Sequence, residues 1–210
     1  MKLYDAPVAP SPRRVRVFMA EKGIDVPRET IDLRALEQLG EAYRAINPRC
    51  TVPALLLDSG ELIDESAAIC RFLEALHPDP PLFGTRPESI GLIESWTRRI
   101  EGEGYAAVAY VLRNGNPRFA GRAIPGGWGD MVQIPELVTR GTRMWAAFLD
   151  MLDARLDGRQ WIVGDAISFA DITALVALDF AAAAQLDGPA TRLNIARWHG
   201  VMAARPSAAA

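Results

Sequence analysis

The chain has 210 residues, half of them hydrophobic and 23% charged, with a formal net charge of −3; this is the balance of an ordinary globular protein with length for one large domain or two small ones. No clustered cationic face marks a nucleic-acid binder, and every apolar stretch is broken by charge or glycine before it could span a membrane. The two cysteines, Cys50 and Cys70, and the two histidines, His77 and His199, form no CxxC and no metal-ligand spacing, so no metal site is expected, and a reducing cytoplasm is the expected compartment.

Lys2 to Tyr4 reads as a first strand, followed at Asp5 by a charge that breaks any signal-peptide core. Pro7, Pro10 and Pro12 make the next segment a loop. Ser11-Pro12 reads as a helix start, with Ser11 as N-cap and Pro12 at the first helical position. Val15, Phe18 and Met19 share a face, and Gly23 ends the helix. Val26 to Ile31 holds the second strand, at a sheet edge because Pro27 lacks a donor. Leu36 to Ile46 is a weaker helical pattern, closed by Asn47-Pro48.

Thr51-Val52-Pro53-Ala54-Leu55-Leu56-Leu57 then starts an apolar strand with a proline at its head. Asp58-Ser59-Gly60 has hairpin-turn chemistry. Leu62-Ile63 returns, and Glu65-Ser66 opens a helix running to about His77. A strand–helix–strand start demands a right-handed parallel crossover, and the hairpin adds antiparallel strands. The expected N-terminal domain is therefore an α/β unit, a four-stranded mixed sheet with three helices, over residues 1–78.

Pro78, Pro80 and Pro81 stiffen a linker over 79–87. Residues 88–210 read as all-helical. Ile90, Ile93, Thr97, Ile100, Gly104, Ala107 and Val111 line one face of a long helix. Asn114 to Pro135 is an irregular, glycine-rich loop of a length that usually carries function. Trp145, Phe148, Leu149, Leu152 and Leu156 form a second helical stripe. Ser168-Phe169-Ala170-Asp171 is a capping box ahead of a nearly all-apolar, hence buried, helix. Leu193 to Ala204 makes the last helix.

Val52-Pro53 followed by a hairpin and then Glu65-Ser66-Ala67-Ala68-Ile69 resembles the thioredoxin-like domain of the glutathione transferase family. Gly164 with Ser168-x-Ala170-Asp171-Ile172 resembles the buried capping motif of that family's helical domain, so the resemblance spans about residues 1–205. It implies a cis proline at Pro53, with Thr51 and Val52 offering backbone to the cysteinyl part of glutathione, and Glu65 and Ser66 holding its γ-glutamyl end. Glutathione is then the co-substrate, a small hydrophobic electrophile the acceptor, and a homodimer the assembly. Pro10-Ser11-Pro12-Arg13-Arg14-Val15-Arg16 is similar to the yeast glutathione transferase II-like subgroup, in which a water held by the helical domain is proposed to activate the thiol.

Two readings of activation stay open. Ser11 is either a helix cap or a direct donor to the thiolate. Asn114 and Asn116, where that subgroup carries a histidine, either orient a water or substrate or do neither. Tyr110, Arg113 and Trp128 are candidate walls of an electrophile pocket placed between the domains. Arg13, Arg14 and Arg49 are cations near the site and read as solvated surface charges or as ligand contacts. Cys50 reads as a small packed residue or as a reactive thiol, and Cys70 as core. The expected activity is glutathione transfer; a non-catalytic binding or carrier protein, or a glutathione-dependent peroxidase, isomerase or dehalogenase, would use the same first domain.

Overall fold

The computed structural model describes all 210 residues, Met1–Ala210. The first half runs β1 (Lys2–Asp5), α1 (Pro10–Lys22), β2 (Arg28–Thr30), α2 (Glu41–Ile46), β3 (Ala54–Leu56), β4 (Leu62–Ile63) and α3 (Ser66–Leu76). The four strands form one sheet in the order β2-β1-β3-β4. β1 pairs parallel with β2, placing Leu3 opposite Arg28, and antiparallel with β3, placing Leu3 opposite Leu55. β3 and β4 close the hairpin. Alternation along the strands divides two apolar sets. Leu3 and Leu55 are fully buried, while Tyr4 and Ala54 join Ile31 and Tyr43 of α2 in a separate cluster. α1 packs on α3, and α3 on β3. This is the four-stranded mixed sheet with helices that the element order predicts.

Three local details differ from the sequence reading. α1 begins at Pro10, with Ala9 in the N-cap position, so Ser11 lies inside the first turn and does not cap it. Both prolines fit there because the first N–H groups of a helix have no intrahelical partner. The 36–46 segment is a tight turn at Glu37–Leu39 followed by α2, with Gly40 in extended backbone between them. The segment Ile100–Tyr105 is a wide π-type turn inside the long helix, joining α4 (Pro87–Arg99) to α5 (Ala106–Gly115). A Cβ on Gly104 would stand 2.9 Å from the Phe148 ring, so the widened turn carries a residue that only glycine fits.

The helical half continues with α6 (Pro135–Arg155), α7 (Phe169–Ala181) and α8 (Leu193–Ala203). Trp145, Phe148, Leu149, Leu152 and Leu156 are buried as their spacing predicts, and α7 is buried along nearly its whole length. Asp171 anchors it. One carboxylate oxygen accepts from the Ser168 N–H and hydroxyl, at 3.0 and 2.8 Å. The other accepts from the Ile162 N–H and the Trp198 indole, both at 3.0 Å. Burial raises this carboxyl's pKa and the donated hydrogen bonds oppose the rise.

Contacts divide the chain into two units. The first is Met1–Pro80 with Ile124–Gly129 and Ala210; the second is Pro81–Ala123 with Asp130–Ala209. Residues 124–129, expected with the helical half, therefore belong by contact to the first unit. No helix is long and apolar enough to cross a membrane, and no group of three or more His, Cys, Asp or Glu side chains is placed to hold a metal ion.

Asp171→Ala would strand four donors in the core of the second unit. It is expected to cost about 3 kcal/mol or more, read as a lower urea midpoint at unchanged slope.

Candidate functional site

The site grows from the turn between α2 and β3. Asn47 is buried and its amide donates to the Thr51 carbonyl at 2.9 Å and approaches the Thr51 hydroxyl at 3.3 Å. Its own side-chain oxygen accepts from the Arg49 N–H at 3.0 Å. The Tyr43 hydroxyl donates to the same Thr51 carbonyl at 2.7 Å. Two donors fill that carbonyl, so the peptide leading into Val52 is held from below. The Val52–Pro53 bond is cis, as the resemblance implies. Val52 itself makes no backbone hydrogen bond within the protein, leaving a donor and an acceptor for an extended ligand backbone.

Glu65 and Ser66 stand where β4 hands over to α3. Glu65 occupies the N-cap position with extended backbone, and Ser66 is the first helical residue. The Ser66 hydroxyl oxygen accepts from the Arg14 guanidinium, from Nη2 at 2.6 Å and Nε at 3.2 Å. Both residues are buried. Arg14 is thus no solvated surface charge. A hydroxyl has two acceptor sites and one proton, so an arginine on its acceptor side leaves the O–H to donate. With the positive end of α3 behind it, Ser66 is suited to an anion such as a carboxylate.

Arg49 joins the two segments. It donates to Glu65 at 2.9 Å and to Asp64 at 3.2 Å. Arg49 and Glu65 are both more than half exposed, so their pairing contributes little stability; its effect is to hold the Glu65 carboxylate near the 49–53 turn. The hydrogen bond to Glu65, with the nearby Asp64 charge, raises the Arg49 pKa above its ordinary value.

Ser11 lies three residues before Arg14 on α1 and so shares its helix face. It is half-buried. Pro10 and Pro12 on either side carry no N–H, so Ser11 is the one backbone donor among the first three residues of the helix. The loop ahead of α1 is fixed by a buried ion pair, Arg16 to Asp5 at 2.6 Å. Arg16 also donates to the Pro7 carbonyl at 3.2 Å, and Asp5 accepts from the Ala6 N–H at 2.8 Å.

The second unit holds the remaining candidates apart from Trp128. Asn114 is buried; its amide donates to the Tyr110 carbonyl at 2.9 Å and its oxygen accepts from the Ile134 N–H at 2.9 Å. Asn116 accepts from the Arg118 N–H at 3.0 Å and starts a short turn there. Both side chains are committed to the loop that joins α5 to α6, which accounts for asparagine at these positions. Arg113 donates to the Arg122 carbonyl at 2.8 Å and lies over the Phe119 ring. Burial, with Arg122 nearby, pulls its pKa down to about 10. Tyr110 is 37% exposed, and Trp128, in the first unit, 63%. Cys50 is buried with φ +56°, and Cys70 is core, its thiol pushed up by burial.

Sequence reading passed over Tyr43, took Asn47 only as a helix end, and placed Arg14 near the site without its partner Ser66. Asn47 had a visible signal, an Asn-Pro pair four residues before a Thr-Val-Pro, of the kind that turns use. Nothing in the spacing announces Tyr43 or Arg14.

Two family models match the chain, the N-terminal domain of glutathione S-transferase over residues 9–76 and its C-terminal domain over residues 136–206. Glutathione S-transferase 2 of Saccharomyces cerevisiae is 33% identical over 212 residues, covering 99% of this chain and 87% of its own. Maleylacetoacetate isomerase of Pseudomonas aeruginosa is 30% identical over 82% of this chain and 77% of its own. The solved structure of a glutathione S-transferase domain-containing protein of Marinobacter aquaeolei superposes with a TM-score of 0.88 at 30% identity, over 99% of both chains.

Burial pushes the Tyr43 phenol up to about 12 from an ordinary 10. The neutral phenol is the native form, so its contribution is whole below about pH 10 and is lost as pH climbs toward about 12. Tyr43→Phe is expected to cost about 1 kcal/mol at neutral pH and to flatten the alkaline fall in unfolding free energy, as measured by urea titrations across that range.

Proposed function

The chain belongs to the glutathione S-transferase family, whose co-substrate is glutathione, and on that premise we propose that it transfers glutathione to small hydrophobic electrophiles. The observation that carries the reading is the Ser66 hydroxyl, held by Arg14 on its acceptor side at the N-terminus of α3. The γ-glutamyl carboxylate would take the Ser66 O–H and the first N–H groups of α3, and the ammonium would take Glu65. Thr51, Val52 and Pro53 would supply the turn on which the cysteinyl backbone lies, with Val52 N–H and C=O as its partners.

A free thiol ionises at about 8.5, so only a few per cent is thiolate near neutrality. The proposal assigns its stabilisation to Ser11 and the positive end of α1. The thiolate then attacks an electrophilic carbon: a C–S bond forms from the sulfur lone pair, and the leaving group departs with its bonding electrons. Holding the two reactants together supplies the rest. Asn114 and Asn116 are not carried into this mechanism, because their side chains hold the 116–134 loop. Tyr110, Arg113 and Trp128 remain the proposed electrophile contacts, and a cytosolic homodimer the proposed form. A glutathione-dependent isomerase is the second reading, supported by the Pseudomonas relative.

Calorimetry with glutathione and steady-state assays with 1-chloro-2,4-dinitrobenzene and with maleylacetoacetate test this. Ser66→Ala is expected to weaken glutathione binding about tenfold or more. Ser11→Ala is expected to leave binding within about twofold and to lower kcat, by an order of magnitude or more if the hydroxyl stabilises the thiolate. Turnover of maleylacetoacetate in preference to the aryl chloride would select the isomerase, and absence of glutathione binding would overturn both.

A further inference from the structure

Residues Ile124–Gly129 lie in the chain between α5 and α6, yet they belong by contact to the first unit. The reason is local. The Gly127 N–H donates to the Arg49 carbonyl at 3.0 Å. Gly126 has φ +108°, and a Cβ there would stand 2.8 Å from that same carbonyl oxygen and 3.4 Å from the Thr51 methyl. A Cβ on Gly127 would stand 3.2 Å from the Cys50 sulfur. Close approach to one turn, Arg49-Cys50-Thr51, therefore demands glycine at 126 and makes any side chain at 127 a tight contact.

That turn is held from its other side as well. The Cys50 N–H donates to the Asn47 carbonyl at 2.9 Å, and Asn47 in turn holds the Thr51 carbonyl. Cys50 sits in the left-handed region at φ +56°, which disfavours a non-glycine residue; the surrounding contacts must sustain it. Its thiol is covered, the residue being 1% exposed. One peptide is thus clamped between a glycine strap and an asparagine prop, and the next residue in the chain is the one that offers its backbone to the ligand.

We propose that Gly126–Gly127 is a strap that sets the position of the Thr51–Val52 backbone, making Gly126, Gly127 and Cys50 positioning residues for glutathione. This rests on the glutathione reading above. A methyl group on the strap must lift it or push the turn. A shift of a few tenths of an ångström at Cys50 carries directly to Val52, where hydrogen bonds to an extended ligand weaken steeply with misalignment. The thiol-activating end of α1 is on a different element, so binding suffers and the chemical step does not. By linkage, a ligand seated on Val52 also holds the strap down, and Cys50 lies under the strap to report it.

The test uses S-methylglutathione, which binds without consuming an alkylating agent. For Gly127→Ala, calorimetry is expected to give an affinity lowered about tenfold, with KM for glutathione raised to match and kcat for 1-chloro-2,4-dinitrobenzene within about twofold. Adding Cys50→Gly to Gly127→Ala removes the opposing sulfur and suits the positive φ, and is expected to restore affinity. In the wild type, S-methylglutathione is expected to slow iodoacetamide labelling of Cys50 relative to Cys70, read by peptide mass; this arm stands even where Gly127→Ala does not fold. Unchanged affinity in Gly127→Ala, a loss confined to kcat, a double variant no better than the single, or equal protection of the two cysteines each overturns the strap. A wild type that does not bind S-methylglutathione overturns the glutathione reading, and the strap's role with it.

Discussion

The Thr51 carbonyl is the fixed point of the site. It accepts from the Tyr43 hydroxyl at 2.7 Å and from the Asn47 amide at 2.9 Å, which uses both of its lone pairs. A strand edge normally binds an extended ligand through backbone groups that ladder pairing has left over. Here β3 does not begin until Ala54, so Val52 is outside the ladder. Without Tyr43 and Asn47 the residue proposed to hold the ligand would sit in an unsupported turn. The two side chains supply from α2 and its C-terminus the rigidity that the sheet does not.

The second constraint is electrostatic, and it lies in α1. Pro-Arg-Arg-Val-Arg looks like an exposed basic run, yet Arg14 and Arg16 are both buried. Burying a guanidinium is expensive unless its donors are used, and each arginine spends them on another element. Arg16 ties α1 back to β1 through Asp5. Arg14 crosses to the first residue of α3. The N-terminus of α1, where the thiol would be activated, and the N-terminus of α3, where the carboxylate would be held, are thereby set by two cations one residue apart from neighbouring. Screening by salt is weak for such buried contacts, so the spacing between the two helix ends is a property of the fold and not of the medium.

The fold was largely legible because it rests on short-range chemistry. The turn at Asp58-Ser59-Gly60, the glycine at 23, the capping box at Ser168 and the apolar periods of α6 and α7 are each decided within a few residues. The proline at the head of β3 and the helix start at Glu65-Ser66 were legible as local structure for the same reason, while their reading as ligand-binding residues came from the resemblance. What escaped was decided by partners far away in the chain. The burial of Arg14 depends on Ser66, 52 positions on. The prop under Thr51 depends on how α2 lies against the sheet. Gly126 and Gly127 advertise only that something comes close; they cannot say that it is a turn some 75 positions earlier. Asn114 and Asn116 were singled out because they stand where the resembling subgroup has a histidine; their bonds to Tyr110, Ile134 and Arg118 were not visible in that position alone.

On the proposed reading, these bonds narrow where a thiolate can find its donors. Three polar side chains in and beside the 114–134 segment are used locally: Asn114 on Ile134, Asn116 on Arg118, and Gln133 on the carbonyls of Arg113 and Asn116. A water held there would compete with bonds that keep a glycine-rich loop in place. On α1 the situation is reversed. A helix N-terminus ordinarily offers three or four N–H groups, but Pro10 and Pro12 delete two of them, and the Arg13 N–H turns back to the Ala9 carbonyl at 3.2 Å. Of the first three residues of this 13-residue helix, Ser11 alone carries a backbone N–H, and it adds a hydroxyl. Ser11 stands within the first turn and Ala9 at the cap position, so the helix end and the hydroxyl proposed to meet the thiolate lie on the same turn of α1.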